Sequence, residues 1–174
     1  MRRVVFLRGV NVGKANRCQP AVIASQLSRL GVINIGAVGT FVVREDVSES
    51  ALRAAIAKKL PFKCEIMICP ARDIIKLASK DPFAEQPSGP DITRFVSVLA
   101  KRPRTFPSVP ISLPSAEEWL LKIIAIHGRF VLGLYRRQMK AIGYLGKIDK
   151  LLGVPATTRS WNTVQKVVQS LSQD

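Results

Sequence analysis

Acid is scarce in this chain. Twelve Asp and Glu stand against 27 Lys and Arg, which leaves a formal net charge of +15. A field of that sign attracts nucleic acids and small anionic ligands. The cations are scattered rather than gathered in runs, so no basic tail stands out. Histidine occurs once, as His127, at an expected hairpin turn with no evident acid or nucleophile beside it, and it reads as a turn residue rather than a catalyst. Three cysteines, Cys18, Cys64 and Cys69, cannot all pair within the chain and do not resemble a secreted disulfide framework. Cys64 and Cys69 lie five apart in one expected strand, so they point to opposite faces and make a poor metal pair. Cys18, next to Arg17 and near an expected helix start, is a candidate for a thiol of lowered pKa. No metal and no cofactor is expected. No apolar run approaches the ~20 residues of a membrane helix. The first apolar stretch is broken at Arg8, too soon for a signal peptide. The expectation is a cytoplasmic protein with no membrane partner.

What is present is a folding pattern. With 174 residues and 47% apolar content, the chain can bury a core of its own. Arg3–Arg8 is a short β-branched and aromatic run that ends at Gly9. Pro20 suits the first turn of a helix carrying Ile23, Leu27 and Leu30, with Gly31 placed to cap it. Strands are expected near Ile33–Val38 and Thr40–Arg44, with Gly39 at the bend. Ser48 caps a second helix with Leu52, Ala55, Ile56 and Leu60 on its stripe, and Pro61 stops it. Alternation from Phe62 to Ile68 marks another strand. The order β-α-β-β-α-β is that of a ferredoxin-like unit. Pro70 opens a further helix that ends at Asp81-Pro82, and Glu85–Asp91 reads as a linker. The second half has a strand near Phe95–Leu99 and a proline-rich loop, Pro103–Pro114, entered through Lys101, Arg102 and Arg104. Strands over Trp119–Ile126 and Phe130–Tyr135 join through His127-Gly128. Helices over Leu145–Leu152 and Ser160–Leu171 close the chain. The fold class is therefore α+β, with a ferredoxin-like βαββαβ domain over 1–84 and a second small α+β domain over 92–174.

Two stretches are not what packing alone selects. Gly9-Val10-Asn11-Val12-Gly13-Lys14 has glycines and a lysine like a phosphate-binding loop, but it is one residue short, and Ala15 stands where a Mg²⁺-binding hydroxyl belongs. Nucleotide hydrolysis is therefore not expected. A milder anion site remains open, with Arg8, Asn11, Lys14 and Arg17 around the turn; the alternative is a polar loop whose Asn11 and glycines only satisfy turn geometry. Near the other end, Arg159 and Asn162 flank the expected start of the last helix, where anions are favoured, while Trp161 has the helical spacing of a core residue. Glu117 and Glu118 are adjacent, so they diverge and read as a solvated face. Comparison with RNA-recognition modules finds only Phe6 and Phe41 on the first and third strands, so RNA binding would run mainly through charge.

Leu7-Arg8-Gly9-Val10-Asn11-Val12-Gly13, Asp81-Pro82-Phe83 and Leu152-Gly153-Val154-Pro155-Ala156-Thr157-Thr158-Arg159-Ser160-Trp161-Asn162-Thr163-Val164 together resemble the domain of unknown function 1697 family of bacteria, over nearly the whole chain. That resemblance implies a small cytoplasmic α+β protein built on ferredoxin-like units, and it implies no activity. One departure stands out. Where many members have Tyr-x-x-Ser-Gly-Asn before the third strand, this chain has Ala37-Val38-Gly39-Thr40-Phe41, so a ligand site using that polar turn would be altered here.

The leading expectation is an anion- or nucleic-acid-binding protein, with Arg8, Asn11, Lys14 and Arg17 as one half of its site and Arg159 and Asn162 as the other. The alternative is an enzyme on a small phosphate- or carboxylate-bearing metabolite, using the same groups to orient it. A third is an interaction protein whose charge serves solubility. Oligomeric state is not legible.

Overall fold

The computed structural model describes residues 1–173 and divides into two compact units. One comprises Met1–Lys80 and the chain from Asn162 onward, and the other is Asp81–Trp161. The sequence reading puts the last helix with the second half; in the structure it groups with the first. Two hydrogen bonds join it to that unit, from Arg2 Nη1 to the Leu171 carbonyl and from Arg44 Nη2 to that of Ser170 at 3.1 Å.

The first unit runs β1 (Arg3–Leu7), α1 (Pro20–Gln26), β2 (Val32–Asn34), β3 (Thr40–Val43), α2 (Glu49–Lys59), β4 (Ile66–Pro70) and α3 (Ala71–Ala78). Its sheet has the order β2-β3-β1-β4 with every neighbour antiparallel, which is what the βαββαβ expectation requires. Val5, Leu7, Phe41, Val43, Ile66 and Ile68 pack with Ile23 and Leu27 after β1 and with Leu52 and Ile56 of α2. The alternate residues Val4, Phe6, Val42, Met67 and Cys69 are buried as well. Strands buried on both faces read as continuous apolar runs, and these do. The expected Ser48 cap forms, its hydroxyl accepting from the Ala51 N–H at 3.2 Å, but the helix expected from Pro20 to Leu30 ends at Gln26, and Gly31, at φ 62, closes a separate 3₁₀ turn instead. β4 begins at Ile66, later than the expected start at Phe62, so Cys64 precedes the strand and only Cys69 lies in it.

The second unit runs β5 (Ile92–Leu99), β6 (Ile111–Leu113), β7 (Leu121–His127), β8 (Phe130–Arg136), α4 (Met139–Leu145), α5 (Ile148–Leu152) and β9 (Ala156–Ser160), and α6 (Trp161–Ser172) follows. Sheet order is β6-β7-β8-β5-β9, with all pairs antiparallel. Phe95, Leu99, Leu121, Ile123 and Val131 pack with Ile148, Leu152 and Val154. Gly133 lies opposite both Phe95 and Ile123, where a Cβ would stand 2.5 Å from the Lys122 carbonyl oxygen and 2.5 Å from the Phe95 ring.

Three elements of this unit differ from the sequence reading. β6 is three residues between Pro110 and Pro114, too short for a visible alternation. The helix expected over Leu145–Leu152 begins only at Ile148, as α5, and a separate helix that the sequence reading lacks, α4, precedes it and ends at Leu145. The residues before Ser160, expected as the approach to a helix, form β9 instead and pair with β5 from Ala156 to Ser160. Their Ala-Thr-Thr-Arg-Ser sequence hides the strand, because its inward positions Thr157 and Arg159 are polar yet buried.

Candidate functional site

β1 delivers the chain into a loop that turns left-handed repeatedly, with φ 71 at Gly9, 56 at Asn11, 62 at Gly13 and 49 at Asn16. Glycine adopts that conformation freely, and asparagine more readily than most residues. The Asn11 N–H donates to the Asn16 carbonyl at 3.0 Å, and Val12 and Ala15 form a bridge, so the loop closes on itself with Gly13-Lys14 at its tip. The Asn11 side chain then ties this loop down. Its Nδ2 donates to the carbonyls of Cys18 at 3.0 Å and Ala37 at 2.8 Å, while its Oδ1 accepts from the Cys18 N–H at 3.0 Å. Asn11, expected as a ligand group, is therefore engaged as the staple between this loop and the β2–β3 turn.

The N–H groups of Arg8, Asn11 and Cys18 are engaged by Glu65 O, Asn16 O and Asn11 Oδ1, so none of the three points at an empty cradle. α1 is seven residues long and Gln19 supplies no side-chain cap. What the loop offers is charge on its outside: Arg8, Lys14 and Arg17 are all exposed, and Lys14 and Arg17 make no hydrogen bond or ion pair among the described residues. A shallow depression on α2, lined by Glu49, Ser50, Arg53, Ala54 and Ala57, contains none of the expected site residues.

The turn that departs from the Tyr-x-x-Ser-Gly-Asn pattern touches the loop through its backbone. Ala37 contributes its carbonyl to Asn11, and the Gly39 carbonyl accepts from the Leu7 N–H at 2.8 Å. Gly39 has φ 84, and a Cβ there would stand 2.8 Å from Leu7 Cβ, so glycine is required.

Arg159 and Asn162 are placed differently from each other. Arg159 is not at a helix start, as the sequence pattern suggests; it lies in β9, 6% exposed, with Nη1 donating to Thr157 Oγ1 at 2.8 Å and to the Thr158 carbonyl at 3.0 Å. Burial pulls its pKa down to about 10, and it stays cationic at neutral pH. Asn162 is exposed in the first turn of α6. Trp161 is a core residue, 7% exposed, its ring edge-on to Phe83 at 5.1 Å. Two of the stretches that carry the family resemblance, Asp-Pro-Phe and Trp-Asn-Thr-Val, thus meet through their aromatic rings in packing.

Burial raises the pKa of Cys18 despite its neighbour Arg17, and burial is likewise the main reason that of Cys64 rises.

A family model described as Protein of unknown function (DUF1697) matches residues 1–118. The chain belongs to this family. The match on this DUF1697 chain takes in β1, the stapled loop and Asp81-Pro82-Phe83, and it ends before the Thr-Thr-Arg-Ser-Trp-Asn-Thr-Val block. A comparison with curated proteins gives no match. Among solved structures the chain is similar to the conserved bacterial protein SP0830 from Streptococcus pneumoniae, at 15% identity, with a TM-score of 0.61 and 98% of each chain covered. At that identity the likeness establishes a shared α+β fold.

Among the described residues no helix is long and apolar enough to cross a membrane. The sheet aromatics weighed for base stacking, Phe6 and Phe41, are both 0% exposed. Phe106, in the loop between β5 and β6, is the aromatic residue that is exposed instead, at 40%. The run Lys101-Arg102-Pro103-Arg104 announces that loop as basic, but nothing in the periodicity distinguishes an exposed Phe106 from a core one.

Proposed function

We propose that this protein binds polyanions, nucleic acid foremost, through the outer face of the stapled β1–α1 loop, with Arg8, Lys14 and Arg17 as the phosphate-facing cations. Asn11 serves by holding the loop shape, and Arg159 by its place within β9. Asn162 is the member of the C-terminal pair with surface to offer a ligand. The observation that carries this reading is the pairing of a +15 chain with Lys14 and Arg17 exposed on a closed loop and without a partner among the described residues. An enzyme on a small anionic metabolite would use a concave, largely enclosed pocket, whereas Gly13, Lys14, Ala15, Asn16 and Arg17 of the loop are all exposed.

The test is fluorescence-anisotropy titration of labelled single-stranded RNA and duplex DNA at several salt concentrations, with the wild type and with Lys14→Ala/Arg17→Ala. Binding should weaken as salt rises, and the double variant should flatten the log–log salt slope by about one unit for each phosphate no longer neutralised. Equal slopes and affinities would remove the loop from the interface. Failure of the wild type to bind at low salt would remove the polyanion reading and direct attention to the metabolite alternative.

A further inference from the structure

The second unit has a basic segment of its own that the loop after β1 does not explain. From Leu99 the chain enters Ala100-Lys101-Arg102-Pro103-Arg104-Thr105-Phe106, and no Asp or Glu occurs between Asp91 and Glu117. Lys101, Arg102 and Arg104 are exposed and form no hydrogen bond or ion pair among the described residues. Other arginines here are matched with acids: Arg53 with Glu49 and Arg136 with Asp91. The Arg102 guanidinium lies over the Phe106 ring, 5.2 Å from its centroid, while that residue keeps 40% of its surface exposed.

The position of this segment is set by backbone pairing. The Leu99 N–H donates to Arg129 O and the Ala100 N–H to Pro155 O, each at 2.9 Å, so the segment leaves the sheet beside the β7–β8 turn. Asp91 lies at the opposite end of β5, where its backbone carbonyl accepts from Arg137 and its carboxylate from Arg136. The eight residues of β5 separate the two ends by about 24 Å. That exceeds the screening length of ~8 Å at physiological salt, so Asp91 does not neutralise the cations.

We propose that the β5–β6 loop is a contact for single-stranded nucleic acid, in which a base stacks on Phe106 and the neighbouring phosphates are met by Lys101, Arg102 and Arg104. Single-strand surfaces combine cations that track the backbone with an aromatic face that accepts any base. The two ordinary stacking positions of this fold are closed, since Phe6 and Phe41 are fully buried. One side of the Phe106 ring carries Arg102, and the planar guanidinium both fixes the ring and adds a cation to a stacked base. Pro103, which is buried, and Pro107 limit the conformations of the segment, which lowers the ordering cost on binding. A duplex keeps its bases stacked inside and offers Phe106 no face, so the loop distinguishes single from double strands.

The proposal extends the polyanion reading to the second unit without resting on the β1–α1 loop, and one experiment separates them. Labelled oligouridylate, duplex DNA and inorganic polyphosphate are titrated with the wild type, Phe106→Ala, Lys101→Ala/Arg104→Ala and Lys14→Ala/Arg17→Ala at one low salt concentration. Phe106→Ala should weaken oligouridylate binding at least about fivefold and leave duplex DNA and polyphosphate within about twofold. Lys101→Ala/Arg104→Ala should weaken both oligouridylate and polyphosphate. Phe106→Trp keeps the stacking face and should retain affinity, with indole emission quenched on binding in excess of any change in the wild type. Unchanged oligouridylate affinity in Phe106→Ala overturns this proposal, whatever Lys14→Ala/Arg17→Ala does. Equal losses for oligouridylate and polyphosphate in Phe106→Ala also overturn it, because the ring would then act on loop shape. So does an absence of oligouridylate binding by the wild type, which would leave the exposed ring to a protein partner.

Discussion

Replacing Asn11 tests whether the loop after β1 is a prebuilt structure. Its side chain makes three hydrogen bonds, two involving Cys18 and one to Ala37. A net value of about 1 kcal/mol for each bond gives ~3 kcal/mol for the set. The Ala37 bond is exposed, so water can replace that partner, and the expected loss falls to roughly 2 kcal/mol. Asn11→Ala adds a conformational penalty at φ 56, where an alanine sits about 1 kcal/mol above its preferred region. Asn11→Gly loses the same hydrogen bonds without that penalty, so it should fall between wild type and Asn11→Ala. Asn11→Asp keeps the acceptor for the Cys18 N–H and loses both donors. Urea denaturation monitored by far-UV circular dichroism gives the global order, and amide exchange at the Cys18 N–H gives the local one. If the alanine and glycine variants both stay within about 0.5 kcal/mol of wild type, as a surface substitution would, and the Cys18 amide keeps its protection, Asn11 is not the staple.

Two further predictions concern glycines and thiols. Gly133→Ala places a methyl 2.5 Å from both the Lys122 carbonyl and the Phe95 ring, so it should cost at least ~2 kcal/mol in a denaturation midpoint. Gly143→Ala, in α4 with open space around its Cβ, should stabilise by ~0.5–1 kcal/mol; equal effects at the two sites would contradict the packing described. Cys18 and Cys64 have thiol pKa values raised by burial, so the folded state holds those protons more tightly than the unfolded chain. Their contribution to stability is therefore present below the ordinary thiol range and declines as pH rises through it. At about pH 7.5 both thiols should react with a disulfide reagent more slowly in the native than in the urea-unfolded protein, and a faster native reaction would contradict the burial assignment.

Sequence is legible here where one physical signal dominates. β1, α2 and the β7–β8 hairpin follow from a continuous β-branched and aromatic run, a Ser cap and a Gly turn, and each forms with its ends close to the expected residues. β9 is hidden for the opposite reason. Thr157 and Arg159 occupy inward positions normally held by apolar residues, and Ser97 and Thr158 share a hydroxyl contact of 2.6 Å, so pairing with β5 rather than hydropathy makes the strand. The same strand places Arg159 in a buried position rather than at an accessible helix start. The β1–α1 loop shows a second limit. The residue pattern marks the loop and its exposed cations, but Asn11 looks the same whether it faces a phosphate or its own backbone, and only long-range geometry separates those. Phe106 is the converse case. Nothing in a period distinguishes a phenyl ring left in solvent from one in the core, yet that exposure, beside three cations with no acidic partner among the described residues, is what makes the β5–β6 loop a candidate for telling a single strand from a duplex.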